Sequence, residues 1–313
     1  MDRISTASAY NQVLNNLLTA EVTQSTAGAQ LSSNEKASDL QGYGTQAESL
    51  TALQATGTQV TGYLNNTQTI AAKLATQNTA LGEVAGAATS AVQSITQAIA
   101  SENGTTLMSQ LQDALGSAID GLNTTYNGEY LFAGGQVNTQ PVSATSLGSL
   151  TSAPSISSLF NNDQRGTTVQ LDQNTTISTG FLADQVGTPL FTALQNIEAY
   201  VQANGPFNGT LTSAQTTFLS AQISGLDTVQ TNLNNVVAQN GQAQNEVTNA
   251  QTDLTSRQTM LQNLIGDITS ANVAQATTNL QQAQLSIQAA GQVFQALNAS
   301  SLLSSLTAVP ALA

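Results

Sequence analysis

The chain has 313 residues, 40 % of them hydrophobic but only 4 % aromatic, and just 7 % charged, far below the usual quarter. Its 18 acids and 5 bases leave a net charge of −13, which makes nucleic acid and anionic membrane surfaces poor partners. Cysteine and histidine are absent, so disulfides, thiol chemistry and a histidine-based triad are excluded, and zinc loses its usual ligands.

With so few aromatics, the core must be built from Leu, Val, Ile and Ala, which suits close-packed helices. The exposed faces must be Gln, Asn, Ser and Thr. Uncharged polar faces repel one another weakly, so this surface suits a chain whose faces end up against copies of itself. The opening "MDRISTASAYNQVLNNLL" has no apolar run ahead of a small-residue cleavage site, and no cleavable signal peptide is expected. No stretch approaches a membrane span.

The first predicted element is a helix with a heptad seam at Tyr10, Val13, Leu17, Ala20, Gln24, Ala27 and Leu31. It ends in the breaker-rich "LSSNEKASDLQGYG". There "GYGTQA", Gly42 to Ala47, fits the dinucleotide pattern G-x-G-x-x-A. It follows no strand and has no acid about twenty residues on, so it is read as a loop entering the next helix.

That helix carries the strongest signal. Stepping 3, 4, 3, 4 from Leu50 gives Leu53, Gly57, Val60, Leu64, Thr67, Ala71, Leu74, Asn78, Leu81, Ala85, Ala88, Val92, Ile95 and Ile99. Only Gly57, Thr67 and Asn78 break the apolar seam, as in a coiled coil. "SENGTT" stops it at Asn103-Gly104. A second helix follows, with Leu107, Leu111, Leu115, Ile119, Leu122 and Tyr126 on one side, and Gly128 is expected to end it. In "GEYLFAGG", Tyr130, Leu131 and Phe132 then start a strand that packs back on the helices, a joint between rod and outer domain.

From Tyr130 to about Val186 the helical period is lost, and "YLFAGGQV" and "TTVQLDQNTTIS" read as strands. "TPLFTALQNIEAYVQANG" is a short helix, with Thr188 as N-cap, Pro189 in the first turn and Gly205 as the stop. A last long seam runs Leu226, Val229, Leu233, Val236, Asn240, Ala243, Val247, Ala250, Leu254, Arg257, Leu261, Leu264, Ile268. The frame then slips, and a new seam runs Val273, Ala276, Leu280, Ala283, Ile287, Ala290, Phe294, Leu297.

The fold expected is mainly α: a long antiparallel coiled-coil or helical rod formed by the N- and C-terminal segments, with a small mixed α/β domain inserted in the middle. The end helices pair with each other, and so do the inner ones. Residues 1–44 and 270–313 make a terminal coiled-coil assembly domain, 45–130 and 215–269 a helical rod domain, and 131–214 an inserted β-containing outer domain. Tyr10, Val13, Leu17, Leu31, Leu280, Ile287, Phe294 and Leu297 are the candidate assembly interface. Asn240 and Arg257, polar on the seam, are candidates for fixing pairing register, with Arg257 reaching solvent at the edge. Asp163, Asp172 and Asp184 fit no metal-ligand spacing and read as solvated loop acids. No Ser sits in a G-x-S-x-G elbow. No catalytic residue, metal or cofactor is expected.

The opening "RIST", "LSS" some thirty residues on, the helical seams, "YLFAG" before a variable middle, and "NLQQAQLSIQAAGQVFQALNASSLLSSL" together resemble the flagellin family, over roughly residues 1–135 and 215–306. The loop "NEKASDLQGYG" departs from the Gly-Lys-Arg and Asp-Asp-Pro pattern common there. "GEYLFAGG" and "SLLSSL" are most similar to the branch that sits at the hook–filament junction. The resemblance implies an extracellular structural subunit of the bacterial flagellum, exported unfolded through the flagellar channel without a cleaved signal peptide. Its ends would be disordered in the monomer and fold on assembly. The implied partners are copies of itself in a ring or helical layer, a hook-associated protein on the hook side, flagellin on the filament side, and an export chaperone. A subunit of the filament itself is the alternative, and a glycan-binding surface module a more distant one. Neither nucleic acid nor membrane is an expected partner.

Overall fold

The computed structural model describes residues 2–306, with side chains from 8 to 299. The side chains of "RIST" and "SLLSSL", Met1 and residues 307–313 lie outside the described residues. Seven α-helices occur in the order α1 (Asp2–Ser33), α2 (Ala47–Ala100), α3 (Leu107–Leu122), α4 (Leu147–Ser152), α5 (Ala183–Asn204), α6 (Ser213–Thr269) and α7 (Val273–Leu306). Two small antiparallel hairpins, β1 (Thr125–Tyr126) with β2 (Glu129–Tyr130) and β3 (Thr168–Gln170) with β4 (Thr176–Ser178), complete the strands described. The chain divides into two compact units, one of residues 1–58 and 258–313, the other of residues 59–257.

In the 59–257 unit, burial follows the seven-residue repeat. Val60, Thr67, Leu74, Leu81, Ala88 and Ile95 of α2 are all buried, and so are Leu226, Leu233, Asn240, Val247 and Leu254 of α6. The two stripes face each other antiparallel: Gln230 Nε2 donates to Thr89 Oγ1 at 2.6 Å, and Asn240 Nδ2 to the Leu74 carbonyl at 3.1 Å. From Ala80 onward the buried face of α2 widens, because α3 lies against it. The contact is close: a Cβ on Gly121 would stand 2.8 Å from the Ala80 carbonyl oxygen. Phe132, Phe191 and Phe207 fill the core shared by α2 to α6. A stack of Tyr200 on Phe218, with ring centroids 3.9 Å apart, joins α5 to α6.

The joint differs from expectation. Helix α3 ends at Leu122, and Gly128 does not cap it. Instead Asn127 and Gly128, with φ of 52° and 85°, make the two-residue turn of the β1–β2 hairpin, in which Thr125 faces Tyr130. Two consecutive positive φ values match the right-handed twist of the strands, which is why Asn-Gly is favoured there. The strand after the turn is short and ends at Tyr130. Leu131 and Phe132 are not in it, but both are buried in the main core. The Phe132 carbonyl accepts from Ala183 N–H at 3.0 Å, at the start of α5.

Helix α5 also begins earlier than expected, at Ala183, so Thr188 is not its N-cap and Pro189 lies inside it. Its first turn is held by Asn162, whose Oδ1 accepts from Asp184 N–H and whose Nδ2 donates to Asp184 Oδ1. Gly205, at φ 88°, closes the helix as a residue without a Cβ can. The β3–β4 hairpin packs Leu171 and Ile177 on Ile70, Leu74, Ala243 and Val247. Asn66 Nδ2 ties it to α2 through the Gln170 carbonyl at 2.8 Å.

In the other unit, α1 and α7 pack against each other. Helix α1 stops at Ser33, where Asn34 takes φ 59°, and the chain turns through a 3-10 segment, Leu40–Gln46. Tyr43 anchors that loop by burying its ring and donating to the Ala37 carbonyl at 2.8 Å. The frame slip between the last two seams is a break in the helix: α7 restarts after Asn272, whose Oδ1 accepts from Gln275 N–H. Lys36 N–H donates to the Thr269 carbonyl and Ala271 N–H to the Asn34 carbonyl, so the two breaks meet each other.

Candidate assembly surface

The α1–α7 pair is antiparallel, with Tyr10 and Phe294 in ring contact, centroids 4.4 Å apart and planes inclined at 59°. Along the pair, Ala20, Ala27, Ala276 and Ala283 are buried, while Val13, Leu17, Leu31, Leu280, Ile287, Phe294 and Leu297 are half-buried and Tyr10 is 37 % exposed. The seam residues chosen from the sequence therefore occupy the faces the two helices turn toward one another. Only alanines are fully enclosed between them. Small side chains let the backbones approach but remove little apolar surface from water.

One flank of the pair is grooved. Val13, Ala20, Ala283, Ala290 and Val293 line the groove with Asn16, Thr19, Thr23 and Gln282, around about 580 Å³ of space. Beyond it, Leu14, Leu18 and Val22 of α1 and Leu285 and Val293 of α7 are exposed. Sequence reasoning missed these. The signal was the i, i+4, i+8 spacing of Leu14, Leu18 and Val22, a second apolar stripe on a helix already assigned one. Leu40, Met260, Leu264 and Val273 are also exposed. Every large exposed hydrophobic side chain among the described residues thus falls in the 1–58 and 258–313 unit, and none in residues 59–257. Concentrated exposed apolar surface marks an interaction site.

The polar seam residues separate. Asn240 is fully buried, with Nδ2 also 3.3 Å from Asn78 Oδ1, and its own Oδ1 has no partner. Arg257 is exposed and does not lie on the buried stripe; Gln258 and Ile265 are half-buried where Arg257 and Leu264 were expected. After Leu254 the half-buried positions include Gln258, Leu261, Ile265 and Ile268, so the 3-4 alternation reverses and the guanidinium is left in solvent. There it contributes to holding the Asp172 carboxyl below its ordinary range, after the larger effect of the Asn174 N–H.

Asp163 and Asp172 close loop turns, whereas Asp184, expected as a solvated loop acid, is half-buried in the first turn of α5. Asp172 Oδ1 accepts from Asn174 and Thr175 N–H. Asp163 Oδ1 accepts from Gly135 N–H at 2.7 Å and Arg165 N–H at 3.0 Å. Asp184 takes the side-chain amides of Asn162 and Gln164. Among the described residues, no group of three or more acidic side chains could hold a metal ion, and no helix is long and apolar enough to cross a membrane.

No family model matches the chain, and no curated protein matches it in sequence. Solved structures do share its fold. One, assigned as a flagellar hook-associated protein of Vibrio parahaemolyticus, is 15 % identical with a TM-score of 0.58, covering 72 % of this chain and 97 % of its own. FlgL of Bacillus cereus is 13 % identical with a TM-score of 0.54, covering 69 % of this chain and 98 % of its own. The likeness spans nearly the whole of the two solved chains and about 70 % of this one, so it concerns the architecture and not a single motif.

Proposed function

We propose that this chain is a structural subunit of the bacterial flagellum, an adaptor at the hook–filament junction that performs no catalysis. The observation that carries this reading is the apolar surface confined to the terminal unit, on a fold shared with hook-associated proteins. A surface of that kind is suited to neighbours in a ring or helical layer, where contacts are heterologous. Residues 1–44 and 270–313 act as the assembly domain. Residues 45–130 and 215–269 form a coiled-coil rod that carries the middle segment, 131–214, as an outer domain.

The assembly domain folds when the subunit joins the growing structure. Ordering a residue costs on the order of 1–2 kcal/mol, and a seam that encloses four alanines offsets little of it. Neighbouring copies supply the missing burial along the groove and the Leu14, Leu18, Val22 stripe. Folding on assembly also suits export as an unfolded chain to the outside of the cell. The partners proposed are further copies, a hook-associated protein on one side, flagellin on the other, and an export chaperone before secretion.

The test is deletion of the gene, with electron microscopy of the cells and a blot for flagellin in the medium. Bare hooks with shed flagellin are expected. Filaments that persist would overturn the adaptor role and make the chain one filament subunit among several.

A further inference from the structure

Five Asn-Gly pairs occur in the chain, at Asn103, Asn127, Asn204, Asn208 and Asn240. In such a pair the backbone nitrogen of the glycine can attack the side-chain amide carbon of the asparagine. A nitrogen–carbon bond forms, the carbon–NH2 bond breaks, the backbone N–H proton leaves with the amide nitrogen as ammonia, and a cyclic imide results. Water then opens either imide carbonyl, giving aspartate or isoaspartate. The reaction is redox-neutral and needs only water and hydroxide. Glycine favours it because no side chain hinders its nitrogen.

The five pairs have the same chemistry but differ in whether that nitrogen is free to attack. Gly104 N–H donates to the Gly209 carbonyl at 3.0 Å, and Gly205 N–H to the Val201 carbonyl at 2.8 Å. Gly209 N–H donates to Thr105 Oγ1 at 3.2 Å. Gly241 lies within α6, where its N–H serves the helix, and Asn240 is buried. Gly128 alone of the five has no acceptor for its N–H among the described residues, and both Asn127 and Gly128 are exposed. The turn is also lightly held, because each strand of its hairpin is only two residues long, and such hairpins have little stability of their own.

We propose that Asn127 is a spontaneous deamidation site, the one that the fold leaves open while it protects the other four. The product matters locally. Asn127 lines a cleft of about 340 Å³ with Lys73, Tyr126, Glu129 and Tyr130, and conversion places a second carboxylate beside Glu129 at the mouth of that cleft. Isoaspartate also lengthens the backbone by one methylene in a turn that has only two residues to span. The inference is independent of the flagellar reading.

The experiment is incubation of the full native chain at mildly alkaline pH and body temperature, with peptide mapping for aspartate and isoaspartate at all five positions. Residue 127 is expected to convert at least about tenfold faster than any other, the factor corresponding to one lost hydrogen bond. In denaturing urea the five rates should converge, since the chemistry is shared and the protection is structural. A native rate at 127 equal to that at Asn103 or Asn208 would overturn the proposal. So would a ranking that survives in urea, which would place the cause in sequence and not in the fold.

Discussion

At the scale of single residues, two polar side chains show opposite uses of burial. Asp163 is only half-buried, and it closes the Gly134-Gly135 end of "GEYLFAGG" by accepting from two backbone N–H groups. Those bonds, Gly135 first and Arg165 second, hold its pKa below the ordinary value. A lowered folded pKa means the contribution is present above the unfolded value and is lost as pH falls through the folded one. Acid below about pH 4 should therefore loosen this joint. The Asp163→Asn variant, whose Oδ1 still accepts but does not titrate, should show a shallower fall in thermal midpoint across that range. Parallel acid limbs for the two proteins would refute the assignment. Asn240 is the reverse case: buried, with one oxygen unpaired. A buried polar group that is half satisfied costs stability, and removing it is cheap where its partner stays satisfied, as the Leu74 carbonyl does through the Gln244 amide at 3.3 Å. Asn240→Leu should leave the urea midpoint unchanged or raised. Asn240→Asp, which sets a carboxylate against the Leu74 carbonyl and Asn78 Oδ1, should lose more than about 3 kcal/mol. A destabilised leucine variant would show that the amide's bond to Leu74 outweighs its orphaned oxygen.

Among elements, the close approach of α3 to α2 is the most sharply testable. A Cβ on Gly121 would meet a backbone carbonyl at 2.8 Å and Val84 Cγ2 at 3.0 Å, and backbone cannot move aside as a flexible side chain can. Gly121→Val should cost at least the 1–3 kcal/mol typical of overpacking, read as a lowered urea midpoint at unchanged slope. A neutral outcome would mean the two helices can separate freely. This contact was invisible in the sequence, where Gly121 is one apolar-neutral position in a regular helix. The long elements were legible because their burial repeats every seven residues: Leu50 to Ile99 and Leu226 to Leu254 follow the stripes read from the letters. The hairpin is hidden in the letters because Tyr126 continues the apolar spacing of α3, which makes Gly128 read as a helix stop. The expected start of α5 at Pro189 falls six residues late because Pro189 resembles a first-turn proline, while the real start at Ala183 depends on Asn162, twenty-two residues from Asp184. Arg257 falls on the expected seam because a strict 3-4 count cannot foresee the reversed alternation after Leu254. For the candidate assembly surface, the facing seam of α1 and α7 is legible in the letters, but the exposed stripe at Leu14, Leu18 and Val22 is hidden behind it.

For the whole molecule, the uneven distribution of burial is the controlling fact. The unit of residues 1–58 and 258–313 fully buries Ala20, Ala27, Tyr43, Leu50, Ala276 and Ala283, while every other buried hydrophobic among the described residues belongs to residues 59–257. Regions with few buried apolar contacts open at low free energy, and proteolysis reports that opening. Limited digestion of the full chain should therefore cut first in α1 and α7 and leave a core near residues 45–270. First cuts within residues 59–257, with both ends intact, would contradict folding on assembly. The same imbalance predicts how a change at the weak unit propagates. Phe294 makes the one ring contact of the α1–α7 pair among the described residues, and it lies outside the 59–257 core. Phe294→Ser should leave the thermal unfolding of that core unchanged but abolish incorporation of the subunit, giving the bare hooks of the deletion. Normal assembly by this variant would remove Phe294 from the interface, and a shifted core transition would show that the two units do not hold their stability separately.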